Sequence, residues 1–294
     1  MLRYPATQSH TRRATGIGAP LRLACLCLAL SFTCACAALR SECAGAKSRD
    51  LQVRFVIDKH FDATRIYGIL RSQDPAGLPV RAASMGIPLD IAMRIQLAGS
   101  YAAVEPLISR LTDTRYQRVA TNIQQAHTKY MELWRPMAAI FSDTVTAHTD
   151  HDWLHNPYVC VVSAFHPGLS DWRGATVAAG YDLSPRMKRR IAAHEIVLSH
   201  VFQLVRARAT WQVSDWQLWA FAEITAVFIL SDPALLPFWP GLAAPGSYFS
   251  QSNYPQLAPL EKELWPLFHT RTCFSGYLER AYALVRAFSD THAP

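Results

Sequence analysis

Apolar side chains recur along this chain with two periods, and the switches between them lay out its elements. From Leu51 to Ile57, LQVRFVI alternates apolar and polar positions, which predicts a short strand. The stretch ATRIYGILRS follows with Ile66, Ile69 and Leu70 on one helical face, and Asp62 is its expected N-cap. Residues 74–88 hold three prolines and two glycines and predict a loop. Helical spacing returns from Pro88 to Gly99, from Val104 to Leu111 and from Thr114 to Trp134. Pro136 ends or kinks that last helix, and a further one reaches to about Ala147.

The middle of the chain changes character. Tyr158 to Phe165, YVCVVSAF, is apolar and β-branched, as a buried strand would be. A turn-rich connection, HPGLSDWRG, leads to a second strand, ATVAAGY, beginning at Ala175. Ser184-Pro185 then pairs an N-cap residue with the residue favoured at the first helical position. The predicted helix runs to about Arg208, and a second begins near Asp215 and stops before Pro233. From Pro233 to Pro259 the chain is rich in Pro, Gly and aromatics, a long loop that would border a cleft. Helices around Glu261–His269 and Gly276–Phe288 complete a mostly helical α+β domain, with a small sheet ahead of the His-Glu helix described below.

Charge divides the 294 residues unevenly. The first 46 hold five arginines and one acid, and the remainder holds 24 basic and 21 acidic side chains, so most of the +7 belongs to the N-terminus. A balance of +3 with no aromatic-interleaved basic patch does not predict nucleic-acid binding. Arginines 3, 12, 13 and 22 lead into an apolar run, Leu23 to Ala38, with small-residue cleavage candidates at Ala35-Cys36-Ala37 and Ala44-Gly45-Ala46. This predicts a signal peptide over residues 1–46, a single domain over 47–294, and a periplasmic or secreted product with no transmembrane segment in the mature chain. An uncleaved anchor, a lipoprotein and an otherwise unrelated helical envelope protein are the alternatives. Five of seven cysteines fall in the leader, leaving Cys160 and Cys273 as a disulfide or as two free thiols.

The chemistry centres on His194-Glu195, inside RRIAAHEIVLSHVFQLV. In a helix, histidines at i and i+4 differ by about 40° in direction and about 6 Å in rise, so both imidazoles reach one ion. Here Leu198 stands at i+4, and the next histidine, His200, lies at i+6, about 120° round the axis. Twenty-nine residues after His194, Glu223 lies in WQLWAFAEITA, an apolar phrase in which a carboxylate requires a partner, a metal or a wet cleft. There is no G-x-S-x-G elbow, P-loop or G-x-G-x-x-G, and no C-x-x-C after residue 46. Other motifs are weaker. Lys188-Arg189-Arg190 reads as a solvated helix face, and His148, Asp150, His151, Asp152 and His155 read as a polar connector or a second metal cluster.

His194-Glu195 followed by Glu223 at this distance, on a strand–turn–helix–helix frame over about residues 158–230, resembles the gluzincin family of zinc metallopeptidases. The resemblance implies a zincin-like fold and zinc held by His194 and Glu223, with His200 as the remaining candidate ligand. It implies Glu195 as general base toward a metal-bound water, and Tyr254, His269 or Tyr277 as stabiliser of the oxyanion. It also implies a peptide or protein substrate. With Leu198 in the ligand position, a non-catalytic descendant that binds a peptide or protein in the old cleft is the alternative. His166, directly after the first buried strand, is a further candidate for the missing ligand.

Overall fold

Three parallel strands carry the frame on which the His-Glu helix rests. They are β1 (Val53–Val56), β2 (Tyr158–Ser163) and β3 (Thr176–Gly180), in the order β1-β2-β3. Val53 faces Tyr158 across the first pair, and Val159 faces Thr176 across the second. The central strand reads as an unbroken apolar run because, in a parallel sheet, both of its faces are covered. Cys160, Val161 and Val162 are accordingly buried. The computed structural model describes residues 51–165, 170, 172–208, 210–242, 244–252 and 254–288. The leader, its cleavage sites and His166 lie outside the described residues.

Parallel pairing requires a crossover, and between β1 and β2 it is a helical layer. This comprises α1 (Lys59–Ser72), α2 (Leu78–Ser84), α3 (Leu89–Leu97), α4 (Tyr101–Trp134) and α5 (Ala138–Thr149). Two expectations are corrected here. The cap of α1 is Asp58, whose Oδ1 accepts from Phe61 N–H at 3.0 Å, whereas Asp62 lies inside the first turn. Residues 74–88 are not all loop. Leu78 and Pro79 open α2, since a first-turn proline gives up no intrahelical hydrogen bond.

After β3 come α6 (Pro185–Arg206) and α7 (Asp215–Leu230), the expected helix pair. Ser184 caps α6 by accepting from Met187 N–H, and Ser214 with Gln217 forms a capping box on α7. From Leu218 to Leu230 every residue of α7 is buried, so the helix is the centre of the core rather than an amphipathic surface element. Three 3-10 turns punctuate the aromatic loop at Leu236–Phe238, Phe249–Gln251 and Pro255–Leu257. Helices α8 (Ala258–His269) and α9 (Phe274–Ala287) close the chain. The result is mostly helical with a small sheet, as expected, and no described helix is long and apolar enough to cross a membrane. Cys160 and Cys273 are both free thiols.

Asp62 joins the helical layer to the sheet. Its Oδ2 accepts from Tyr116 Oη at 2.8 Å, Ser163 Oγ at 2.9 Å and Ala164 N–H at 3.1 Å. Burial outweighs these three donors and raises the carboxyl to about 6. A carboxyl whose folded pKa exceeds its unfolded value favours the fold when protonated, so stability falls as pH rises from about 4 to about 6. Denaturant titrations of the native chain and Asp62→Asn at pH 4 and pH 7 should show the native chain losing roughly 2–3 kcal/mol relative to the variant. An unchanged gap between the two proteins would show that the carboxylate is fully compensated.

Candidate functional site

Helix α6 delivers His194 and Glu195, and α7 delivers Glu223 from the facing side. His194 Nε2 lies 3.1 Å from Glu223 Oε1, with the two side chains 13% and 10% exposed. Two neighbouring helices thus aim an imidazole and a distant carboxylate at each other. Burial pulls the His194 pKa down, but the nearby Glu223 and Glu195 outweigh it, and the net shift is upward. The pair is therefore an ion pair whenever His194 is protonated, in a largely buried setting. Burial likewise raises Glu195, with Glu223 adding to the rise and His194 opposing it. A carboxyl held up in this way keeps a proton more readily than a solvated one.

The neighbours of Glu195 carry no motif of their own in the sequence. Ser170 and Trp172, in the connection between β2 and β3, lie close enough to its carboxyl to oppose the upward shift. Ser170 is fixed in turn by β3, since Ala178 N–H donates to its Oγ at 2.9 Å. Arg190, one turn before His194, donates to the hydroxyl of Tyr248 and lies over its ring, 5.2 Å from the centroid. Buried Glu261 fixes the loop that carries this tyrosine. It accepts from Gly246 N–H at 2.9 Å and from Tyr248 and Phe249 N–H at 3.0 Å each. The only available signals were the turn HPGLSDWRG beside a His-Glu helix and the density of aromatics after Pro233.

Of the three expected oxyanion groups, Tyr254 alone is brought to this site. Burial raises its pKa, and the charges of Glu223 and Glu195 are close enough to contribute. Tyr277 is buried instead between α7 and α9, hydrogen-bonded to Thr225 and stacked on Phe221. His269 is exposed at the end of α8 against Trp265. Tyr254 also lines a cavity of about 370 Å³ with Trp172, Trp216, Trp219, Arg65 and Arg81. Trp216 stacks on Trp219 at 4.8 Å, and Trp219 meets Trp172 at 5.9 Å and Tyr254 at 5.2 Å. Trp172 and Tyr254 belong both to this wall and to the surroundings of Glu195, whereas His194, Glu195 and Glu223 are not among the residues that line the cavity.

The remaining candidate ligand is not brought there. His200 is fully buried, and its ring meets Trp153 at 4.8 Å, on the side where His151 and His155 lie. Its position six residues after His194 turns it away, as the helical angle requires. Leu198, in the i+4 position, is 1% exposed. The connector after α5 is structural too. His148 Nε2 pairs with Asp232 at 2.8 Å, His155 Nε2 with Gln203 Oε1 at 2.7 Å, and Asp150 accepts from Phe274 N–H at 2.6 Å. Nor is the basic run a solvated face. Lys188 donates to the carbonyls of Tyr181 and Leu183, and Arg189 donates to that of Phe238 at 3.0 Å.

The donor set can be weighed against zinc. Two donors with zinc bonds of about 2.0–2.1 Å at a tetrahedral angle lie about 3.3 Å apart, close to the His194–Glu223 separation. A catalytic zinc uses three protein donors, however. Among the described residues no group of three or more His, Cys, Asp or Glu side chains converges. The described residues thus fit two zinc ligands and do not complete the third. Comparison with known proteins adds no family. No family model matches the chain, and no curated protein or solved structure matches it either.

Proposed function

We propose that this chain is an exported gluzincin-like protein that has kept the two-helix site but not the full metal donor set, and that it binds a peptide or protein segment in its aromatic cleft without cleaving it. One observation carries this: Leu198 occupies the ligand position on α6 while Glu223 Oε1 lies 3.1 Å from His194 Nε2. The cleft supplies broad aromatic faces and two arginines, Arg65, which also donates to the Ser170 carbonyl, and Arg81, against one carboxylate, Asp215. In this scheme Glu195, Glu223 and His194 form a polar floor, Tyr254 flanks it, and the tryptophans give the contact area.

The second reading is a zinc-dependent peptidase. The donor spacing and the raised Glu195 carboxyl favour it. One experiment separates the two. Reduced, carboxymethylated casein is titrated into the full chain, with tryptophan fluorescence and the appearance of new N-termini followed together. Saturable quenching without new termini is expected, weakened at least about tenfold in Trp216→Ala, as for an aromatic anchor. New termini that vanish in Glu195→Gln would establish the peptidase instead. Absence of any saturable response would end the peptide-binding proposal.

A further inference from the structure

A second cavity, unrelated to the His–Glu pair, opens in the helical layer. It measures about 600 Å³, and α3, α4 and the end of β2 build it. Four arginines line it, Arg94 from α3 and Arg110, Arg115 and Arg118 from α4, and no carboxylate does. Among the described residues, Arg115 is the one of the four with a partner inside the fold. Its Nε donates to the Ala164 carbonyl at 3.1 Å, and its guanidinium lies 5.6 Å from the Phe165 ring centroid. Arg94, Arg110 and Arg118 are exposed and make no hydrogen bond or ion pair recorded among the described residues. Guanidinium groups gathered without counter-charge repel one another, and a phosphate relieves this through paired N–H donors.

The surface beside the cavity is unusual as well. Leu89, Met93 and Leu97 form an i, i+4, i+8 row along α3, and they are 44%, 48% and 79% exposed. Val80 on neighbouring α2 is 74% exposed. These four are the majority of the seven large hydrophobic residues that the described surface exposes. At about 100° per residue, the row is followed round α3 first by Asp90, then within roughly 60° by Arg94, and then by Ile91 in the cavity wall. Asp90, in the first turn, is the one acid on that side of α3, and Glu105 lies nearby on α4 outside the cavity lining.

We propose that this face docks on an anionic lipid surface. The apolar row of α3 enters the headgroup boundary, and the arginine cavity takes a lipid phosphate. An apolar ridge flanked by guanidinium groups is the combination that holds a helix in the plane of such a surface. The charge complementarity of the cavity selects the lipid surface over an uncharged protein partner. Nothing in this requires the cleft to be active or inactive.

The test is hydrogen exchange on the full chain with vesicles of phosphatidylcholine, alone or mixed with phosphatidylglycerol. Mixed vesicles should slow exchange in residues 89–118, and pure phosphatidylcholine should not. The Arg110→Ala/Arg118→Ala double variant should partition about 30-fold less, roughly fivefold for each exposed arginine. Leu97→Ser, a fully tolerable surface change, should weaken partitioning and leave thermal unfolding unchanged. Protection confined to the basic leader, equal protection on uncharged vesicles, or variants that bind as well as the native chain would each overturn the proposal. So would inorganic phosphate that saturates the cavity and leaves vesicles unbound, which would make this a soluble-anion site.

Discussion

Replacing Leu198 with histidine should turn this chain into a stoichiometric zinc binder. The substitution places an imidazole at i+4 from His194, about 40° away in direction and about 6 Å along the helix. Glu223 already meets His194 at a distance that two tetrahedral donors would share. The change therefore adds the third protein donor without asking either helix to move. Affinity should rise by more than about 100-fold, beyond what even an outer partner of a metal ligand contributes. Without metal, a buried imidazole in place of leucine should lower stability by about 1–3 kcal/mol. Zinc should restore it, because a ligand that binds only the folded state raises the unfolding midpoint. Metal analysis and thermal unfolding of Leu198→His, with Glu223→Ala added in the same background, provide the check. A folded variant that gains no zinc would remove the gluzincin-like lineage, and a native chain already carrying one equivalent would remove the incomplete-donor proposal.

Much of the frame was legible in the sequence because local chemistry dictates it. Ser184-Pro185 and Ser214 mark helix starts through side chains that satisfy free backbone N–H groups, whatever lies around them. The fully apolar run in β2 follows from burial on both sides of a parallel sheet. Errors arose where a tertiary contact overrode a local signal. Helical spacing over Val104–Leu111 and again over Thr114–Trp134 predicts two helices, yet α4 is continuous, and Thr112 is buried with its hydroxyl donating to the carbonyls of Ile108 and Ser109. Asp62 reads as a cap by residue type alone, and the fold instead points it into the sheet, leaving Asp58 to cap α1.

The site divides in the same way. Glu223 was readable because a lone carboxylate in an apolar phrase requires a partner, and His194-Glu195 because of its dipeptide and its spacing to Glu223. Ser170, Trp172 and Tyr248 were not, because each sits in a loop placed by partners far away in sequence. Tyr248, for instance, is positioned by Glu261 thirteen residues on. Tyr254, His269 and Tyr277 were indistinguishable as letters in the sequence. What separates them is whether the intervening aromatic loop folds back over α7, as it does at Tyr254.

His200 yields the largest stability effect. Neither of its buried ring nitrogens meets a hydrogen-bond partner among the described residues. Burial, aided by His151 and His155, lowers its pKa from 6.5 to about 3. A histidine whose folded pKa lies below its unfolded value weakens the fold as pH drops, because the unfolded chain binds the proton first. The loss begins near pH 6.5 and continues to about pH 3, reaching on the order of 5 kcal/mol. That range opposes the contribution of Asp62, so the native chain will show the two partly cancelling between pH 4 and pH 6. His200→Leu keeps the volume against Trp153 and removes the titration. The variant should be at least as stable at pH 7 and should exceed the native chain by roughly 3 kcal/mol at pH 4.5, measured by denaturant unfolding. Zinc uptake by Leu198→His should be unaffected by the added change, since His200 faces away from Glu223. A variant that loses stability at neutral pH, or that abolishes metal binding, would place His200 in a hydrogen-bonded or ligating role that its packing against Trp153 argues against.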